Sequence, residues 1–330
     1  MRSSIFVSIA LVFSTSVATL TERSRNAALS VFATIPDTLN LENLALRHNG
    51  DIVVTSSGSG TLHLVDSTGS RFAAIADIPD ASGLLGIAKL EKDVFYVAGS
   101  NATGSTPIAI GTNAVWKVDL RGVKIKKDNT LSKPAKVSLV TEIPSAGLLN
   151  GMTRLSPEDN SRLLLSDSAL GQILLLNVNT KEYETIIDDE TTAGRPERLV
   201  AANGLRTYGQ ELFYVNQVRN LFAKVPISVS TGHPTGPSQI IVNGTVPFAD
   251  DFTLSLDGKR AWIALNSQNV IVEVDILARM STVLINSTKL GEGSSVAIVP
   301  GSSRSPSLYV TGSSAIQDAT VGTVFKVDTC

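Results

Sequence analysis

The stretch ADDFTLSLDGKRAWIALNSQNVIVEVDILARMSTVLIN, residues 249 to 286, contains four short runs of β-favouring residues separated by polar turns. Apolar residues alternate at Phe252, Leu254 and Leu256, which is the pattern of a strand with one buried face. The pair Asp257-Gly258 then predicts a tight turn before a second strand. The stretch therefore predicts a small antiparallel sheet.

The hairpin at the start of this stretch recurs along the chain, as LENLALRHNGDIVVTSS (41 to 57), LLGIAKLEKDVFYVAGS (84 to 100), LNGMTRLSPEDNSRLLLSDS (149 to 168), ANGLRTYGQELFYVN (202 to 216) and SSVAIVPGSSRSPSLYVTGS (294 to 313). Most copies are followed by a third strand, such as AVWKVD (114 to 119), and a more variable fourth. Four strands repeated six times, at spacings of about 40 to 50 residues, predict an all-β, six-bladed β-propeller with four-stranded blades. A β-sandwich is the alternative, although six matching hairpins are difficult to place in one.

The two chain ends predict how the ring closes. The last repeat stops at its third strand, near Val324 to Asp328, and SVFATIPD near residue 30 is unassigned. We expect this N-terminal strand to complete the last blade, because closure removes exposed sheet edges. Residues 19–330 are thus predicted to form a single propeller domain.

The first residues, MRSSIFVSIALVFSTSVATL, are typical of a secretory signal peptide, which we assign to residues 1–18. An uncleaved anchor is the alternative, although the apolar run is shorter than a bilayer span requires and no later segment reaches that length. Secretion is also favoured by glycosylation sequons at Asn101, Asn243 and Asn286. The single cysteine, Cys330, excludes an internal disulfide.

Composition limits the classes of partner. The chain is 43% hydrophobic and 18% charged, with a net charge of -2, so it lacks the basic surplus that nucleic-acid binding requires. Its one basic run, KIKKD at 124 to 128, is predicted to lie in a solvated loop.

Polar residues precede the innermost strand of several blades, where a propeller brings distant segments together. Aligning the repeats places Glu42, Asn150, Asn203 and Asp250 at one level. Carboxylate and amide oxygens suit Ca²⁺ or Mg²⁺ and tolerate Zn²⁺. The alternative is that these residues only cap local turns.

The loops beside these positions are apolar: GLLG (83 to 86), AGLLN (146 to 150), RLVAAN (198 to 203) and VPFAD (246 to 250). If they line a pocket, its ligand is a small apolar molecule with few polar atoms. We expect the substrate to contact Leu85, Leu149, Phe248 and Phe252. Packing between blades is the alternative role for these side chains.

Beyond its signal segment the chain resembles the SMP-30/gluconolactonase family of six-bladed propellers. The resemblance implies a divalent metal, Ca²⁺ or Zn²⁺, held by Glu42, Asn203 and Asp250, with Asn150 binding a sugar lactone. The surroundings depart from the family, because Glu42 is followed by Asn43-Leu44 instead of Gly-Pro or Ser-Pro, and Asp251 replaces a customary glycine.

A narrower resemblance, carried by the signal peptide, the sequons and the strings Ala-Asn-Gly and Asp-Asp-Phe, is to secreted fungal hetero-Diels-Alderases of tropolonic sesquiterpenoid biosynthesis. It implies cofactor-free addition of a tropolone o-quinone methide to a humulene-type alkene. Asn150, Asn203, Asp250 and Asp251 are then the candidate catalytic residues, with Asp250 facing the channel and Asp251 turned aside. A metal-dependent lactonase and a non-catalytic binding propeller are the alternatives.

Overall fold

The computed structural model describes residues 27–102, 108–195, 200–299, 301, 306–316 and 319–329. The predicted signal peptide, residues 198 and 199 of one rim loop, and Cys330 lie outside these ranges. The described residues form 24 strands, and none of them belongs to a helix. A membrane-crossing helix is accordingly not found in these ranges.

The strands assemble into six antiparallel four-stranded sheets, which confirms the predicted propeller. Each sheet is one blade, and the first strand of each repeat is its innermost strand. The last blade takes its fourth, outermost strand from the N-terminus of the chain. The first three blades contain β2 (Leu44–Leu46), β3 (Ile52–Ser56), β4 (Ser59–Val65) and β5 (Phe72–Asp77); β6 (Gly83–Glu91), β7 (Val94–Ser100), β8 (Ala114–Asp119) and β9 (Lys136–Glu142); and β10 (Leu149–Arg154), β11 (Arg162–Asp167), β12 (Gln172–Asn177) and β13 (Tyr183–Ile187).

The remaining blades contain β14 (Ala202–Tyr208), β15 (Glu211–Asn216), β16 (Leu221–Pro226) and β17 (Gln239–Asn243); β18 (Ala249–Leu254), β19 (Arg260–Leu265), β20 (Val270–Asp275) and β21 (Met280–Asn286); and β22 (Val296–Ile298), β23 (Ser307–Ile316), β24 (Ala319–Asp328) and β1 (Ala28–Ile35). Strand β1 pairs with β24 from Ala28 opposite Asp328 to Ile35 opposite Gly322. The predicted closure by the N-terminal strand is therefore confirmed.

The hydrophobic core lies between neighbouring blades. Six main clusters of buried side chains each join two successive sheets, and the last includes Ile35, Leu41 and Val54 at the junction of the closing blade with the first. Each blade therefore buries apolar surface on both faces, which is why the strands are rich in Val, Ile and Leu.

A β-bulge interrupts the inner strand of each blade at the same level. In blade five, Ala249 pairs with Leu265 and Phe252 with Ile263, so Asp250 and Asp251 together oppose one residue. The same step occurs in β6, β10 and β14, and hydrogen bonds around Thr55 and Thr311 show it in blades one and six. A bulge turns two successive side chains out of normal alternation, so it re-aims them at the channel mouth.

The predicted glycosylation sites are accessible. Asn101, Asn243 and Asn286 are all exposed. Their modification stays a prediction.

Candidate active site at the propeller apex

The first residues of the six bulges form a ring around the propeller axis. Going around the blades, they are Glu42, Leu85, Asn150, Asn203, Asp250 and Ser294. The sequence alignment therefore placed Glu42, Asn150, Asn203 and Asp250 at their correct common level. Leu85 is the apolar member of this otherwise polar ring.

Asp250 is a buried carboxyl group held by two amides. Asn203 donates from Nδ2 to Oδ1 at 2.7 Å, and Asn266 donates from Nδ2 to Oδ2 at 2.8 Å. Burial raises the pKa of Asp250 to about 7, and repulsion from Asp251 adds to the rise, while the amide hydrogen bonds partly oppose it. Asp250 therefore exchanges a proton near neutral pH, which lets it act as an acid or as a hydrogen-bond donor.

Glu42 is the second acid with a perturbed carboxyl. Burial raises the pKa of Glu42 well above its ordinary value, and repulsion from Asp250, Asp251 and Glu292 acts in the same direction. The hydroxyl of Ser294 lowers it only in part. These causes show that the two predicted acids act on one another across the ring, although they belong to blades one and five.

Asp251 is not turned aside, contrary to expectation. Its Oδ2 accepts hydrogen bonds from Asn43 Nδ2 at 3.1 Å, Ser295 Oγ at 2.7 Å and Arg206 Nη2 at 2.8 Å. The bulge is the reason, because Asp250 and Asp251 do not alternate across the strand as successive residues in a regular strand do. Asp251 thus joins blades one, four and six, and Arg206 neutralises its charge.

The two asparagines of the ring differ in their contacts. Asn203 is fixed by Asp250 and lies 3.4 Å from Gln217 Oε1, measured from Nδ2. Asn150 is 6% exposed, and its side chain forms no hydrogen bond to another described residue. Asn150 therefore has both donor and acceptor groups available for a ligand.

The apolar rim differs from the predicted one. Leu85 packs with Leu148 and Ala102 in a small cluster beside the ring. Leu149 instead belongs to the core between blades two and three, because neighbouring leucines in an extended chain face opposite sides. Phe252 is fully buried with its ring 5.0 Å from that of Phe222. The packing of Leu149 and Phe252 therefore corresponds to the inter-blade alternative.

Phe248 precedes the inner strand of blade five and has an unusual backbone. Its φ is 54°, in the left-handed region that bulky residues rarely adopt. Its N–H donates to Asn220 Oδ1 at 3.4 Å, and its carbonyl accepts from the N–H of Asn266 at 3.0 Å. Because Asn266 also holds Asp250, this strained turn is coupled to the position of the acid.

Sequence reasoning missed several residues that complete the site. Asn43 and Ser295 occupy the second bulge position, the same column as Asp251, so extending the alignment by one residue would have found them. Asn266, Arg206, Glu292 and Gln217 reach the ring from other strands and loops. No repeat pattern marked these four.

Comparisons with known proteins place the fold among six-bladed propellers. A luciferin-regenerating enzyme superposes with a TM-score of 0.63 at 14% identity, covering 91% of this chain and 95% of that one. Regucalcin of Agrobacterium tumefaciens, a calcium-binding protein, gives 0.60 at 16% identity, with 91% and 93% covered. The apo-form of the soluble aldose sugar dehydrogenase of Escherichia coli gives 0.61 at 15% identity, with 92% and 100% covered. At these identities the likeness shows the fold alone. No family model and no curated protein matches the chain.

The ring offers a partial donor set for a metal. Glu42, Asp250 and Asn203 supply hard oxygen donors, and the mutual repulsion of the acids is what a divalent cation relieves. However, Asn203 turns its Nδ2 toward Asp250, so a cation would require the amide to rotate. Within the described ranges, no group of three or more His, Cys, Asp or Glu side chains is arranged to hold a metal ion.

The raised pKa of Asp250 predicts a pH-dependent stability. Between its ordinary pKa of 3.8 and the folded value of about 7, the folded state holds a proton that the unfolded state has lost. We therefore expect the wild type to lose unfolding free energy relative to Asp250→Asn as pH rises through this window, by up to about 1.4 kcal/mol per pH unit.

Denaturant unfolding of both proteins at intervals from pH 4 to 8, in buffer with chelator, measures this difference. The comparison with the variant is needed because burial lowers the pKa of His63, which stabilises the protein in the opposite direction as pH rises. Parallel stability curves for the two proteins would contradict the prediction.

Proposed function

We propose that the protein catalyses a hetero-Diels-Alder addition of a tropolone o-quinone methide to a humulene-type sesquiterpene alkene. The observation that carries this proposal is the buried Asp250 carboxyl, which has a pKa of about 7 and lies in a ring that also contains Leu85. Such a ring offers hydrogen-bond donors to one oxygen atom and apolar contacts to a hydrocarbon. These are the two requirements of this reaction.

The proposed reaction requires little covalent chemistry from the protein. The quinone-methide oxygen and exocyclic carbon each form one bond to the alkene carbons, the aromatic system is regenerated, and no atom or electron is gained or lost overall. Orientation of two bound partners alone can contribute about 7 to 11 kcal/mol of barrier lowering. A nucleophile is not required.

The ring residues have distinct roles in this proposal. The protonated carboxyl of Asp250 and the free amide of Asn150 donate hydrogen bonds to the quinone-methide carbonyl, which lowers its acceptor orbital and fixes the face of attack. Leu85 and Leu148 contact the sesquiterpene. Asp251 is already occupied by Arg206, Asn43 and Ser295, so it holds the geometry and does not touch substrate.

A metal-dependent lactonase is the second candidate, favoured by the mutual electrostatic effects of Glu42 and Asp250. Glu42, Asp250 and Asn203 would hold the cation, which polarises a lactone carbonyl when bound. Asn150 would then orient the lactone through its unpaired amide. The rim leucines fit a polyhydroxylated sugar poorly, because they offer it no hydrogen bonds.

One experiment distinguishes the cycloaddition from the metal-dependent lactonase activity. Purified protein is incubated with a humulene alcohol and a quinone-methide precursor, with and without chelator, and the enantiomeric excess of the adduct is measured. We expect a strong excess that survives chelation. A racemic adduct formed at the uncatalysed rate would overturn the proposal, and lactone hydrolysis restored by added Ca²⁺ or Zn²⁺ would support the second candidate. Saturable binding of both substrates without turnover would identify a non-catalytic binding propeller.

A further inference from the structure

A cavity lies at the opposite end of the propeller from the apex ring. It is formed by the turn between β2 and β3, the turn between β6 and β7, and the connection between β8 and β9. Because inner strands begin at the apex, turns after first and third strands lie at the far end. The cavity has a volume of about 680 Å³. It is lined by Arg47, His48, Asn49, Lys92, Asp93, Arg121, Gly122, Val123 and Lys124.

The acidic charge at this cavity is already neutralised within the protein. Arg47 holds Asp93 with two hydrogen bonds, from Nε to Oδ1 at 3.2 Å and from Nη2 to Oδ2 at 3.0 Å. His48 Nδ1 lies 3.0 Å from the same Asp93 Oδ1. Burial alone would raise the pKa of Asp93, yet the contacts with Arg47 and His48 outweigh it and lower the pKa. Asp93 therefore stays charged and paired.

Arg47 is a structural cation with no capacity left for a ligand. It is 4% exposed and also donates to the backbone oxygens of Val123 and Leu120 at 3.0 Å. A further bond joins it to Asp51 at 3.3 Å. These contacts fasten the β8–β9 connection to blade one and so fix the far wall of the cavity.

Two of the remaining cations of the lining, Lys92 and Lys124, are available. Lys92 and Lys124 are exposed, and neither forms an ion pair with a described residue. Arg121 pairs with Asp119 through Nε and Nη2. The cavity is therefore locally positive, although the whole chain carries a net charge of -2.

We propose that this cavity binds a tetrahedral oxyanion, the phosphate or sulfate group of a small ligand. Lys92 and Lys124 supply point charges from two different turns, and Arg121 adds a hydrogen-bond donor. The buried ion pair between Arg47 and Asp93 keeps these groups in place. The site is independent of the apex chemistry and of the proposed function.

The test uses the whole protein and inorganic phosphate, titrated by calorimetry at constant ionic strength in chloride. Lys92→Ala combined with Lys124→Ala is expected to weaken phosphate binding by about tenfold or more. The matched control combines Lys126→Ala with Lys127→Ala, which removes the same number of positive charges, both from the β8–β9 connection and both outside the cavity lining. We expect this control to bind within about twofold of the wild type.

Two results would overturn the proposal. One is the absence of saturable phosphate binding by the wild type, and the other is an equal loss of affinity in both double variants, which would indicate only general attraction. A parallel titration with sulfate distinguishes the two kinds of ligand. If sulfate competes with phosphate, the site accepts either a phosphate or a sulfate ester. If sulfate does not compete, the site is restricted to phosphate. Apex activity is expected to be unchanged in both double variants.

Discussion

Replacing Asp250 by alanine is expected to slow the proposed cycloaddition by about 100-fold, the usual effect of removing one preorganised hydrogen-bond donor from a buried site. The enantiomeric excess should fall with the rate, because the uncatalysed background reaction then supplies most of the adduct. The substitution also leaves the amides of Asn203 and Asn266 without their shared acceptor. Initial rates and chiral chromatography of the adduct measure both effects.

Two further variants are needed for comparison, one that keeps a hydrogen-bond donor at position 250 without the ionisable carboxyl, and one that is a control elsewhere. Asp250→Asn keeps a donor in the same place, so we expect it to retain about one tenth or more of the activity. Asp257→Ala removes an exposed carboxylate from the following turn and should leave the rate unchanged. Folding of each variant is checked by thermal unfolding. Wild-type rate and enantiomeric excess in Asp250→Ala would exclude Asp250 from catalysis.

Replacing Gly204 by alanine is expected to destabilise the propeller by about 3 kcal/mol, because there is no room for a methyl group. A Cβ built on Gly204 would lie 2.2 Å from Asp251 Oδ1 and 2.7 Å from Asp251 Cα. Backbone atoms must move to relieve such an overlap, and Asp251 is held by three blades. Denaturant unfolding monitored by tryptophan fluorescence measures the change.

The matched control for this substitution is Gly58→Ala. A Cβ at Gly58 would meet no atom within 4 Å, and its backbone is not left-handed. We expect an unfolding free energy within about 0.5 kcal/mol of the wild type. If both variants lose the same stability, close approach of blades four and five at the bulge is not what requires Gly204.

The fold was predictable because a propeller repeats one local pattern. Each blade needs alternating strands and polar turns, and these are visible in hairpins such as residues 249 to 265 without knowledge of distant contacts. The closing strand, Ala28–Ile35, was predictable by counting, since the last repeat had only three strands. The ring formed by Glu42, Asn150, Asn203 and Asp250 followed from the same alignment.

Rim packing was not predictable in the same way. Leu148 and Leu149 are chemically identical neighbours, and only the strand register assigns Leu148 to the rim and Leu149 to the inter-blade core. Phe252 is similar, because the register after the bulge directs its ring to Phe222. A one-residue shift in a strand exchanges its two faces.

The sequence by itself determined the repeat, the ring closure and the level at which the polar residues meet. Only the tertiary structure decided how the acids divide their roles. The bulge brings Asp251 to Arg206, Asn43 and Ser295, whereas Asp250 receives hydrogen bonds from neutral groups, the amides of Asn203 and Asn266 and the hydroxyl of Ser294. Adjacent identical side chains thus acquire different electrostatic surroundings, because their partners come from blades that are distant in sequence.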